Sequence, residues 1–176
     1  MLLSVFRTNT SRTWISVLSL PLALWLVPAQ AEELIRHPIP NSDFPILQAV
    51  EVPPGATLVM LSGQVPPVVD PNADPRSVAA FGDTYTQTVG VLKRIQDILE
   101  SIDLTMSDVV KMQVFLVGDP EMDGMMDFAG FMKGYREFFG TEEQPNLPVR
   151  STMQIAGLVN PGWLVEIEVE AVRMAD

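Results

Sequence analysis

Val165-Glu166-Ile167-Glu168-Val169-Glu170-Ala171 alternates apolar and acidic side chains without a break. A period of two belongs to a strand with one face against a core and the other turned away from it. Carboxylates at every second position then fall about 7 Å apart along the open face. Upstream, Pro148-Val149-Arg150-Ser151-Thr152 opens a second extended run, linked to the first around Asn160-Pro161-Gly162. The two runs read as neighbouring strands. Arg150 is the only basic residue between Arg136 and Arg173. Its guanidinium presents a planar fork of donors that matches a carboxylate or phosphate, and a glutamate set opposite it would manage a proton or a water. The pair suggests a small-anion site. Two alternatives stay open: Arg150 as a salt bridge between subunits, and Glu168 or Glu170 in place of Glu166, since all three share a face.

The remaining chain supplies the layers that such strands need. Val109 to Val117 is rich in β-branched residues, with Lys111 and Gln113 alternating against Met112 and Val114. Phe81, Tyr85, Val89, Leu92, Ile95 and Leu99 recur at steps of three and four, which predicts a long helix with one buried stripe. Met125 to Phe139 predicts a second helix, with Phe128, Phe131 or Met132, Tyr135 and Phe138 inward. Gly140 follows it, where a chain leaving a helix wants a residue tolerant of positive φ. Ile46 to Val52 and Thr57 to Leu61 are β-favouring runs around Pro53-Pro54-Gly55-Ala56, the punctuation of a hairpin. Ser62-Gly63-Gln64-Val65-Pro66 then leads into a polar, proline-bearing loop through Arg76, long enough to be functional or mobile. Glu32 to Asp43 reads as a loosely tied arm, and its His37, the sole histidine, as a surface residue. The expected order is β-β-α-β-α-β-β, an α+β domain whose sheet is covered on one face by two helices.

Composition narrows the function classes. Arg7 and Arg12 precede an apolar run from Trp14 to Val27, and Ala29-Gln30-Ala31 places small residues at a natural cut before Glu32. These are the parts of a secretory signal peptide over 1–31. The run is shorter than the roughly 20 residues of a spanning helix and is interrupted by Pro21, so stable membrane insertion is not expected after cleavage. Periplasmic or secreted residence follows as an expectation. With 22 acidic against 11 basic residues, the net charge is −11. Such a surface repels phosphate backbones, so nucleic acid is an unexpected partner. One histidine and no cysteine leave no soft ligand set for zinc, and no disulfide is possible. Neither a phosphate-cradling glycine loop nor a nucleophile elbow is visible, and the ten methionines read as core filler.

Taken together, several segments resemble the reactive intermediate deaminase (RidA/YjgF-like) family. They are Ser62-Gly63-Gln64-Val65-Pro66, the long helix ending in Ile98-Leu99-Glu100, and Asp108-Val109-Val110-Lys111. Val114-Phe115-Leu116, Tyr135 through Phe139, Pro148 to Ser151 and Val165 to Glu168 complete the set. The likeness runs from about Phe44 to Met174. It implies a chorismate-mutase-like fold assembled as a homotrimer with sites between subunits. It also implies hydrolysis of 2-imino or enamine acids to 2-keto acids and ammonia, with no metal or organic cofactor. On this resemblance Arg150 binds the substrate carboxylate and Glu166 assists the attacking water, while Ser62 and Gly63 lie beside the substrate. Thr152 stands where many members carry cysteine. Ile46 replaces an aromatic hydroxyl of the family site and Met132 an asparagine, so both strip polar groups from the pocket.

Two function classes follow. One is an exported imine/enamine deaminase acting on a small carboxylate. The other, favoured by the apolar residues at Ile46 and Met132, is a non-catalytic trimer that binds small carboxylates or client proteins in the same clefts. An RNase role, sometimes attached to the family, runs against the acidic charge and the lack of a histidine pair.

Overall fold

A computed structural model describes residues 33–175; the signal peptide expected over 1–31 lies outside the described residues. Strands β1 (Ile35–Pro38) and β2 (Leu47–Glu51) form a small antiparallel sheet. The main sheet holds β3 (Thr57–Gln64), β4 (Val109–Val117), β5 (Val149–Ile155) and β6 (Val165–Arg173), in the order β3-β6-β4-β5. Helix α1 (Thr84–Glu100) connects β3 to β4, and α2 (Phe128–Tyr135) connects β4 to β5. Among the described residues no helix is long and apolar enough to cross a membrane.

The alternation in β6 fixes its orientation. Val165, Ile167, Val169 and Ala171 are buried against α1 and α2, together with Met112, Val114 and Leu116 of β4. Each such side chain is stabilised by roughly 1.5–3 kcal/mol on burial. A one-residue slip would exchange that row for Glu166, Glu168 and Glu170, so the register is strongly specified. Each helix begins at an aspartate whose carboxylate accepts a backbone N–H of the first turn: Asp83 from Thr86, Asp127 from Gly130.

The pairing differs from the sequence expectation in three places. First, β5 and β6 are not neighbours. Helix α2 returns the chain so that β5 runs parallel to β4, and β6 then enters antiparallel between β3 and β4. A helical crossover permits this parallel pairing, whereas a short turn does not. Second, β2 and β3 do not form a hairpin; the turn around Gly55 (φ 86°) carries the chain from one sheet to the other. Third, the arm is anchored. The Arg36 guanidinium donates to the carbonyls of Leu147 (2.8 Å), Ser107 (2.8 Å) and Val109 (3.3 Å), and β1 pairs with β2. A lone polar residue in a proline-bearing segment gave no hint of those distant carbonyls. His37 does lie at the surface, 2.7 Å from the Glu51 carboxylate.

Candidate functional site

Arg150 projects from β5 opposite Met112 of β4, and partners in register share a face, so Arg150 points to the helix-covered side. There the guanidinium carbon sits 4.3 Å from the Tyr135 ring centroid, 5.0 Å from Phe131 and 5.5 Å from Phe44. Phe131 and Tyr135 are four apart on α2 and pack tilted at 41°, with ring centroids 5.9 Å apart. Aromatic faces attract a cation, and more strongly away from water. Nη2 donates to the Met132 thioether at 3.1 Å. Nη1 is sealed from solvent with no hydrogen-bond partner, and so is Oγ1 of Thr152, two residues along on the same face of β5. Burial pulls the arginine below its ordinary range, with the charge of Arg136 a lesser contribution in the same direction. A guanidinium nevertheless stays protonated in proteins. No carboxylate bridges to Arg150 among the described residues.

The segment before β2 closes this enclosure. The Tyr135 hydroxyl donates to the Pro45 carbonyl at 2.8 Å, and burial pushes the phenol well above its usual range. That bond holds Phe44, Pro45 and Ile46 against the aromatic group. The buried Met132, in contact with Nη2, belongs to the same neighbourhood as Arg150, and the half-buried Ile46 follows Pro45 in the segment so held.

A second group forms on the opposite face. Glu166 pairs in register with Phe115 on the open side of the sheet, beyond β4 from Arg150. Between Leu61↔Val169 and Gln64↔Ile167 strand β3 spends one more residue than β6, a bulge at Ser62-Gly63. A Cβ on Gly63 would lie 2.0 Å from Oε1 of Glu166, so only glycine lets the carboxylate rest over the bulge. Burial raises the Glu166 carboxyl above the usual range, and the nearby charge of Glu168 raises it further. The expected site residues therefore fall into two clusters: Arg150, Met132, Thr152 and Ile46 on one side, Ser62, Gly63 and Glu166 on the other. The expectation that Glu166 faces Arg150 across adjacent strands is corrected, because opposite parity on β5 and β6 sends the two side chains through opposite faces.

The aromatic enclosure has no signature of its own in the sequence. Phe131 and Tyr135 were visible as an inward pair at helical spacing, but that spacing marks core and binding wall alike. Phe44 carried no periodic signal.

Residues 45–173 match the family model described as Endoribonuclease L-PSP. The chain belongs to the RidA/YjgF family. A RutC family protein of Haemophilus influenzae is 33% identical over 73% of this chain and 87% of its own. A 2-iminobutanoate/2-iminopropanoate deaminase of Salmonella typhimurium is 31% identical over 74% of this chain and 87% of its own. Among solved structures, E. coli TdcF with bound serine superposes with a TM-score of 0.52 at 30% identity, covering 78% of this chain and 94% of TdcF. The two helices on a mixed sheet are the α+β, chorismate-mutase-like fold of this RidA-family chain.

Proposed function

We propose that this RidA-family protein is an exported deaminase that hydrolyses 2-imino or enamine acids to 2-keto acids and ammonia, in sites completed between copies of a homotrimer. The observation that carries the reading is the enclosed, unpartnered Nη1 of Arg150, a permanent cation that no acid among the described residues bridges. A buried donor without an acceptor is costly, and a substrate carboxylate supplies that acceptor with the geometry a guanidinium prefers. Relatives about 30% identical that bear the name 2-iminobutanoate/2-iminopropanoate deaminase support the same chemistry.

The step balances without other reactants. Water oxygen bonds to the carbon of the protonated imine while Glu166 takes a proton from the water. That proton passes from Glu166 to nitrogen. As the C–N bond breaks the hydroxyl gives its own proton to the carboxylate, the carbonyl forms, and the departing ammonia takes up that proton, so the products are a 2-keto acid and ammonium. A protonated imine is already electrophilic, so orientation and charge placement carry most of the work. General-base help of this kind contributes about 10²–10⁴ in rate. Its raised carboxyl suits Glu166 to accept that proton nearer neutral pH. Assembly is part of the proposal because the two clusters point away from each other within one protomer. Apolar Met60, 72% exposed, and Leu58 lie on the open face that a second copy would cover.

The test is keto-acid release from imino acids made in situ by an amino-acid oxidase. The wild-type protein accelerates release, and Arg150→Ala abolishes the acceleration while the oligomer persists on size exclusion. Acceleration that survives the substitution places the site elsewhere. The second reading, a non-catalytic carboxylate binder, draws on the Met132 contact with Nη2; no acceleration with any imine, together with saturable binding of keto acids, is its signature. The endoribonuclease in the family model's name finds little support here, given the net charge of −11 and a sole histidine paired with Glu51 at the surface. Export is tested by intact-mass analysis of protein recovered outside the cytoplasm: a chain beginning at Glu32 agrees, and a retained Met1 contradicts it.

A further inference from the structure

The enclosure around Arg150 is apolar on nearly every side, and its one filled donor is filled weakly. A thioether is a poor acceptor, whereas a carboxylate accepting from a guanidinium makes a bond roughly twice as strong as a neutral one. The 3.1 Å contact from Nη2 to Met132 is therefore easily exchanged for an acid group. A carboxylate forked on the guanidinium places its carbon about 4 Å from the arginine Cζ. The space those substituents enter is bordered by the rings that pack on the guanidinium, Phe44, Phe131 and Tyr135, whose centroids stand 5.5, 5.0 and 4.3 Å from Cζ. Ile46 and Met132 add aliphatic and thioether surface. The Tyr135 hydroxyl already donates to Pro45, which removes its proton from the inventory of donors a ligand might use. Beyond the unpartnered Thr152 hydroxyl, a hydroxyl or amide on the ligand would leave water for a wall with little to offer, and unpaired polar groups are disfavoured there.

We propose that Phe44, Ile46 and Met132 make this site selective for 2-imino acids with a branched or otherwise bulky apolar side chain, the Met132 thioether holding the place of the carboxylate until the substrate arrives. The proposal rests on the deaminase reading above and deepens it. Entry requires one wall to yield, because Nη1 is fully enclosed. Phe44 is that wall. It is 40% exposed, follows a turn with Asn41 at φ 56°, and its N–H is held by the Ser42 hydroxyl at 3.2 Å. Each methylene accommodated in an apolar pocket is worth about tenfold or more in kcat/KM. The difference between a leucine-derived and an alanine-derived imine is therefore large enough to read.

The experiment measures two things on the purified protein. Imines are generated in situ from leucine, methionine, alanine and serine, and kcat/KM is compared. In parallel, 4-methyl-2-oxopentanoate and pyruvate are titrated as stable product acids by calorimetry. The leucine- and methionine-derived imines are expected to exceed the alanine- and serine-derived ones by at least about tenfold, with the branched keto acid binding tighter than pyruvate. Met132→Leu keeps the wall apolar and keeps the preference. Met132→Asn lowers the leucine-to-alanine ratio about tenfold, mainly through KM, and Phe44→Ala lowers it as well. A wild-type ratio near one, or a ratio unmoved by both Met132→Asn and Phe44→Ala in protein with unchanged melting temperature, overturns the proposal. Failure of the underlying reading looks different. No imine would then be hydrolysed, yet the titrations would still report selectivity at Arg150, confirming it if the branched acid is favoured and overturning it if it is not.

Discussion

Arg150 and Glu166 show how environment divides two charged groups between two tasks. The arginine keeps its charge despite burial because a guanidinium does not readily release its proton, and the surrounding ring faces compensate only part of the lost hydration. The glutamate behaves in the opposite sense: its proton is held more tightly because burial and Glu168 both disfavour the anion. This yields a pH prediction. In the proposed role Glu166 acts as a base in its ionised form, so activity is expected to fall as acidification protonates it. Removing the Glu168 charge by Glu168→Gln weakens the repulsion and lets Glu166 ionise at lower pH. The acid limb of kcat/KM against pH should move down. A limb that stays in place, or moves up, means that Glu166 is not the group titrating. Arg150 stood out in the sequence as an isolated cation within an acidic chain. Its ring neighbours did not, since aromatic residues four apart on a helix face a core or a ligand with the same periodicity.

The alternating strand β6 and the presence of both helices are legible from hydrophobic period, because one-sided burial imposes it, but α2 spans only Phe128–Tyr135 within the expected Met125 to Phe139. The stripe of α1 was read slightly off. Thr84, Gln87 and Thr88 are buried where Tyr85 and Val89 were expected. Polar residues escape a hydrophobic pattern when the fold satisfies them: Thr88 donates to the Thr84 carbonyl at 2.7 Å, and Gln87 accepts from Leu164 N–H while donating to Gly82 and Gly162. Tyr85 turns outward instead, donating to Glu137 beneath the Lys133 ammonium. Strand partners were the least legible feature. Neighbours along the chain are not neighbours in the sheet, and the insertion of β6 between β3 and β4 depends on long-range contacts that no local pattern encodes. The bulge at Ser62-Gly63 belongs to the same class, since it is defined only against the strand it pairs with.

For the molecule as a whole, the two clusters on opposite faces are the central fact. A protomer holds the Arg150 enclosure on one side and a glutamate over a glycine bulge on the other, and the proposed chemistry needs both. The proposed cyclic assembly would resolve this by setting the enclosure of one copy against the bulge of the next. The most direct measurement mixes Arg150→Ala and Glu166→Gln chains, each impaired by itself, and follows imine hydrolysis after co-assembly. Every mixed cyclic trimer then carries one seam with both residues intact, so equal mixing should restore about a quarter of wild-type activity. A mixture that stays at the level of its parents, with mixed trimers verified by native mass spectrometry, would contradict the account.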